Sequence, residues 1–202
     1  LWRILIKFKK CINGGLFLNA ENEAQFASVI CHELAHLSQR HFQRNVLRSQ
    51  DTNLASTLIM VSSIAIALAT NNPGAFLAGP ALIQQESLRY SRSFEREADR
   101  FGFENLIASG YDPQSMGEMF ENMAYLRRLY GDNIPEFLRT HPITSSRISD
   151  AFNAADQVPE IEGKKNSLNY QLVRGRLSAQ YEEIPINAVR IFKDRLVNER
   201  TI

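Results

Sequence analysis

Between Thr52 and Gln85 the chain carries no charged residue, and this stretch limits what the rest can fold into. An uncharged segment of that length must either pack against its neighbours or enter a lipid phase. Its most apolar part, Leu54 to Ala69, falls slightly short of the roughly 20 residues that span a bilayer. It includes Ser56, Thr57, Ser62 and Ser63, and the segment then turns at Asn71-Asn72-Pro73-Gly74. The reading is a buried or plug-like helical hairpin, with a membrane-dipping or spanning element as the alternative. Small residues such as Ala65, Ala67, Gly79 and Ala81 suit close helix packing in either case.

Composition narrows the class. Of 202 residues, 44% are hydrophobic and 22% charged, which excludes a disordered tail, a collagen-like rod and a polytopic membrane protein. Twenty-three basic and 22 acidic residues leave a net charge of +1, without the basic footprint that nucleic acid requires. Cys11 and Cys31 are too few for a disulfide scaffold and allow at most one bridge. The opening, Leu1 to Cys11, lacks the apolar core and cleavage site of a signal peptide, and a start at Leu1 suggests a fragment or processed product.

Local signals give a mainly helical chain. Gly14-Gly15-Leu16-Phe17-Leu18 reads as a short strand after a glycine turn. Asn19 then caps a helix expected over about 20–48, whose stripe of Phe26, Ile30, Leu34, Leu37 and His41 should face the core. A third helix is expected from about Gln84 to Ser109, closed by Gly110. Asp112-Pro113 should open a helix to about Tyr130 with Met116, Met119, Phe120, Met123 and Leu126 in the core. After His141-Pro142, Ser145 or Ser146 starts a helix to about Asp156. Val158–Ser167 reads as a polar linker, followed by helices over about 168–181 and 185–199.

His32-Glu33-Leu34-Ala35-His36 carries the chemistry. On a helix His36 lies about 40° and Glu33 about 100° from His32, so all three share one arc. Two imidazoles one turn apart can bind one Zn²⁺, while the glutamate between them reaches a metal-activated water and takes its proton. Cys31 points off this arc, and His41 lies on the adjoining apolar wall as a packed or second-shell residue. A third ligand must come from elsewhere. Glu95-Arg96-Glu97-Ala98-Asp99 is the better source, because Glu95 and Asp99 share a face: one can bind metal while the other takes the outer N–H of a ligand imidazole. Glu97 points about 200° away from Glu95. A solvated acidic face paired with Arg92, Arg96 and Arg100 is the competing reading.

Val29 to His36, followed by Glu95 to Gly102, resembles the M48 family of zinc metallopeptidases, and within it the periplasmic branch associated with beta-barrel assembly. Glu21-Asn22-Glu23, Ser109 to Pro113, Thr140-His141-Pro142 and Arg147 support the resemblance, which runs from about Gly15 to Asp156. It implies a zincin-type domain, mainly α (α+β) with a small strand element, over residues 1–157. Residues 158–202 would be a linker and helical segment, the start of a tetratricopeptide-type region. It implies His32, His36 and Glu95 as ligands of one Zn²⁺, Glu33 as general base, Asp99 beside a ligand histidine, His141 beside the metal, and Arg147 supporting the His141 loop. The activity implied is endopeptidase action on unfolded or misassembled envelope proteins in the periplasm, with outer-membrane assembly machinery as partner and no nucleic acid. The 54–83 hairpin would serve as a lid or plug, or touch membrane. A non-proteolytic scaffold and a membrane-embedded M48 protease are the alternatives. Leu1 to Asn13 does not match well the glycine-containing strand that precedes the motif helix in relatives.

Overall fold

The computed structural model describes residues 14–131, 140–159, 162–182 and 185–198. The Leu1–Asn13 opening, Cys11 and Glu199 lie outside the described residues. The helices are α1 (Gly14–Asn19), α2 (Glu23–Ser38), α3 (His41–Thr70), α4 (Gly74–Ala108), α5 (Ser115–Tyr130), α6 (Ser145–Asp156), α7 (Leu168–Tyr181) and α8 (Pro185–Asn198). Among the described residues the only β pairing is an isolated parallel bridge between Tyr111 and Lys164. The fold is mainly α, and the strand expected over Gly14–Leu18 is instead α1. Asn19 donates from Nδ2 to the Gly15 carbonyl at 2.8 Å, closing that turn. Phe17 packs 4.7 Å from Phe26 and 4.6 Å from Tyr170, ring centre to ring centre. Tertiary packing overrides the local glycine signal here.

The chain divides into two compact units, residues 1–29 with 106–202, and residues 30–105. In the first, Met116, Met119, Phe120 and Met123 of α5 are buried as their spacing implies. Gly117 lets α6 close in, since a Cβ there would sit 2.7 Å from the Phe152 ring. Gly110, at φ 76°, ends α4: its N–H donates to the Ile107 carbonyl and that of Tyr111 to Leu106, a Schellman arrangement. Asp112 does not cap α5 at the expected point. Its carboxylate accepts from the Gln114 N–H, and the helix begins at Ser115.

The stretch read as a linker is pinned within this unit. The Lys164 N–H donates to the Gly110 carbonyl at 2.9 Å, the Ala24 N–H donates to the Lys165 carbonyl at 3.0 Å, and Lys165 pairs with Asp112 at 2.9 Å. Glu23 is the clamp, accepting from Tyr111 Oη at 3.0 Å and Lys164 Nζ at 2.9 Å. Burial pushes the Glu23 carboxyl up, but hydrogen bonds from Ser167, Lys164 and Tyr111 outweigh this and hold it below its usual value.

The second unit is dominated by α3 and α4, which pair antiparallel. Arg48 meets Glu86 at 2.8 Å and lies 3.6 Å over the Tyr90 ring, while Gly79 touches Ser63 so closely that a Cβ would fall 2.5 Å from its hydroxyl. Asn71, at φ 48°, closes α3 at the expected turn, and the Asn72 N–H donates back to the Ala67 carbonyl. The α4 arm starts at Gly74, ten residues before the expected Gln84, and includes Pro80. Large side chains along the hairpin are exposed, among them Leu54 at 71% and Leu68 at 79%. Residues 54–83 begin roughly 20 Å up α3 from His41, at 1.5 Å of rise per residue.

The single helix expected over 20–48 is two, α2 and α3, broken at Gln39-Arg40. Arg40 takes φ 55°, ψ 37°, the left-handed region that costs a non-glycine residue about 1–2 kcal/mol. The buried face of α2 also differs from the expected stripe. Ala24, Ser28, Val29, Cys31, His32 and Ala35 are buried, whereas Leu37 is exposed. Small side chains on the inner face allow backbones to approach closely, which the larger stripe would prevent.

Because the folded Glu23 carboxyl lies below its unfolded value, it contributes stability above the ordinary carboxylate range and loses it as pH falls through the folded value. Glu23→Gln is expected to destabilise the protein by about 1–2 kcal/mol at pH 7, with the difference shrinking at pH 3. Urea melts at the two pH values check this; an equal loss at both would show that the clamp acts without its charge.

Candidate metal centre

The site is built in residues 30–105, from the end of α2, the first turn of α3 and the middle of α4. Glu95, Asp99 and Gly102 follow one another at four and three residues, one face of α4. Gly102 brings that face against α2: a Cβ there would lie 3.0 Å from both N and Cα of His32. With the backbones this close, the carboxylates of α4 reach the imidazoles of α2.

Three donors converge. His32 Nε2 and His36 Nε2 stand 3.0 Å apart, Glu95 Oε2 lies 3.5 Å from the first and Glu95 Oε1 3.3 Å from the second. Tetrahedral zinc with bonds of about 2.0–2.1 Å sets its ligands about 3.3 Å apart, so the triangle fits such an ion, and two imidazoles with one carboxylate suit it chemically. Glu33, half-buried, follows His32 directly on the same helix. Asp99 Oδ1 sits 2.9 Å from His32 Nδ1, on the side of the ring away from the donors.

Electrostatics follow from that geometry. Burial disfavours a charged His32, but the Asp99 and Glu95 carboxylates outweigh it and raise the imidazole to about 9. A cation competes with this proton, so metal uptake releases it. Burial alone pushes the Cys31 thiol up to about 11, which keeps it a thiol beside the site rather than a ligand.

Sequence reasoning read His41 as packed or set behind a ligand, but did not anticipate Glu97 as its partner. His41, 4% exposed, brings Nδ1 to 2.8 Å from His36 Nδ1 and Nε2 to 3.2 Å from Glu97 Oε2. Arg44 donates to the same Glu97 oxygen at 2.8 Å, and the His41 ring stacks on Phe94 at 4.4 Å. Burial and the neighbouring His36 lower the His41 pKa against the pull of Glu97. On a continuous helix His36 and His41 would point about 140° apart; only the corner at Arg40 lets them meet. No residue pattern announced that corner.

His141 and Arg147 belong to the unit containing residues 106–202 and are described there. Arg147 is buried, donates from Nη1 to the Pro142 carbonyl at 2.9 Å, and lies 4.9 Å over Phe120. It thus holds the loop that follows His141. Thr144 caps α6 by accepting from the Arg147 N–H at 3.3 Å.

The model of peptidase family M48 matches residues 7–155. The chain belongs to peptidase family M48. It is 36% identical over 179 residues to a putative beta-barrel assembly-enhancing protease of Vibrio cholerae serotype O1, covering 88% of this chain and 37% of that protein. It is 35% identical over 173 residues to the beta-barrel assembly-enhancing protease of Escherichia coli O157:H7, covering 84% and 35%. A more distant similarity, 25% over 158 residues, is to the mitochondrial metalloendopeptidase OMA1 of Arabidopsis thaliana, covering 72% and 30%. The chain spans a little over a third of the length of the two bacterial relatives. It carries an M48 metallopeptidase domain, and M48 metallopeptidases are zinc-dependent in general.

Gly102→Ala forces the two backbones apart, with an expected overpacking cost of about 1–3 kcal/mol. Thermal unfolding with and without zinc should show lower stability in both states and a smaller stabilisation by the metal. An unchanged metal increment would mean that the close approach does not set the ligand spacing.

Proposed function

We propose that this domain is a zinc-dependent endopeptidase acting on unfolded or misassembled proteins of the cell envelope. The observation that carries the reading is the 3.0–3.5 Å triangle of His32, His36 and Glu95, with Glu33 between the two histidines on one helix. His32 and His36 would hold zinc through Nε2 and Glu95 through its carboxylate. Zinc, when bound, supplies a Lewis acid that acidifies water and polarises a scissile carbonyl. Glu33 takes the proton of the attacking water and returns it to the departing amine. Asp99 accepts the Nδ1 proton of His32, fixing the ring so that Nε2 faces inward. Resemblance to the family would give His141, in the loop that Arg147 holds, the role of steadying negative charge on the carbonyl oxygen. The substrate class, a periplasmic location and a link to outer-membrane assembly machinery rest on similarity to the beta-barrel assembly-enhancing proteases.

A second reading concerns the hairpin. Asn53–Thr70 is long and apolar enough to cross a membrane, and 6% of it is buried. Both arms present apolar side chains, and the nearest basic residues, Arg44, Arg48, Arg89 and Arg92, gather at the base. That distribution suits a hairpin whose arms enter lipid while its base stays at the headgroups. Vesicles of phosphatidylethanolamine and phosphatidylglycerol should carry the protein upward in flotation, and Leu58→Glu with Ile66→Glu should abolish this. A wild type that stays at the bottom overturns membrane contact.

The peptidase reading is tested with Glu33→Gln. It should keep one zinc per chain, by mass spectrometry on protein prepared without chelator, and lose about 10²–10⁴-fold of its activity on denatured casein. A well-folded wild type that cannot be loaded with zinc would sink the reading. Loss of casein cleavage with full retention of the envelope role in cells would favour the scaffold alternative.

A further inference from the structure

His41 is outside the donor triangle, yet it is nearly as buried as His32 and points both its nitrogens at partners. We propose that His41 and Glu97 are positioning residues that fix the tautomer of His36, leaving its Nε2 bare toward the metal. The proposal rests on the zinc reading above.

The argument is a count of protons. A neutral imidazole that coordinates through Nε2 keeps its proton on Nδ1. In His36 that N–H faces His41 Nδ1 at 2.8 Å. Two N–H groups cannot face each other at that distance, so His41 must be bare at Nδ1 and carry its own proton on Nε2. His41 Nε2 has the Glu97 carboxylate 3.2 Å away to receive it. Each bond in the chain, from His36 to His41 to Glu97, therefore has one proton and one acceptor. Arg44, 2.8 Å from the same carboxylate oxygen, keeps Glu97 ionised, and the Phe94 ring stacked at 19° holds the His41 plane in register.

The two ligand histidines are thus supported differently. His32 hands its outer proton directly to a carboxylate, Asp99, whereas His36 reaches one through an intervening imidazole. A neutral relay pulls the His36 proton less strongly than a carboxylate would. Each ring is thereby oriented by a hydrogen bond at its outer nitrogen.

Long-range ¹H–¹⁵N spectra of the zinc-loaded full chain, labelled at histidine, read the tautomers directly. The expected result is His36 protonated on Nδ1 and His41 protonated on Nε2; a proton on His41 Nδ1 overturns the relay without any variant. Zinc affinity, measured by chelator competition, gives the second reading. His41→Phe keeps a ring for Phe94 but removes the acceptor and should weaken zinc about 10–100-fold, with thermal stability of the metal-free protein largely kept. His41→Gln restores a carbonyl acceptor and should return affinity close to the wild type. Unchanged affinity in a folded His41→Phe, or a His41→Gln as weak as His41→Phe, overturns the positioning role while leaving the metal reading intact. A wild type that takes up no zinc overturns both.

Discussion

The contact between Gly102 and the backbone of His32 is the constraint on which the metal centre depends. Without a side chain at 102, α4 comes close enough for Glu95 to reach both imidazoles of α2 and for Asp99 to reach behind one of them. The cost is concentrated charge. Two carboxylates and two imidazoles crowd a region where His32 is almost wholly buried, and an uncompensated anion there would be expensive. The metal-free protein meets this by holding a proton on His32, hence its high pKa. On the zinc reading, a divalent cation takes the place of that proton.

The second constraint is the corner at Arg40. It places a non-glycine residue in the left-handed region, and the chain gains from it the redirection of His41. Stacking on Phe94, the ion pair of Arg44 with Glu97 and the contact with His36 all depend on His41 starting a new helix rather than continuing α2. The same corner sets the course of α3, so one strained residue governs both the support of His36 and the direction of the hairpin.

Legibility in the sequence followed the range of the interaction. The convergence of Glu95 on His32 and His36, and of Asp99 on His32, was readable because each pair of positions is written in a four-residue spacing. Glu97 was set aside because it points away from Glu95; that remained true, and its partner proved to be His41 across a corner. Gly102 entered only as the last residue of the stretch from Glu95 that carries the family resemblance, since nothing local says which backbone will press against it. The error at Gly14–Leu18 has the same origin: Gly-Gly before apolar residues favours a turn and strand, but Phe17 gains more by stacking on Phe26 and Tyr170, remote in sequence. The α2 stripe was misjudged because size was taken as the mark of the core. At a helix interface governed by close approach, alanine and serine go inside and Leu37 stays out. The turns closed by Gly110 and Asn71 were legible.

The hairpin is where local and global preferences part. Its arms are joined by a small-residue contact, Ser63 against Gly79, and by polar pairs near the base, so each arm satisfies its neighbour along a narrow seam. The remaining faces are apolar and open, from Leu54 to Leu82. At about 25 cal/mol per Å², leaving several large aliphatic side chains in water on both arms forfeits kilocalories that a soluble hairpin would recover by alternating polar residues outward. On the membrane and zinc readings proposed above, α3 joins the two: its first turn carries His41 against His36, and its far end carries the exposed apolar side chains that would enter lipid.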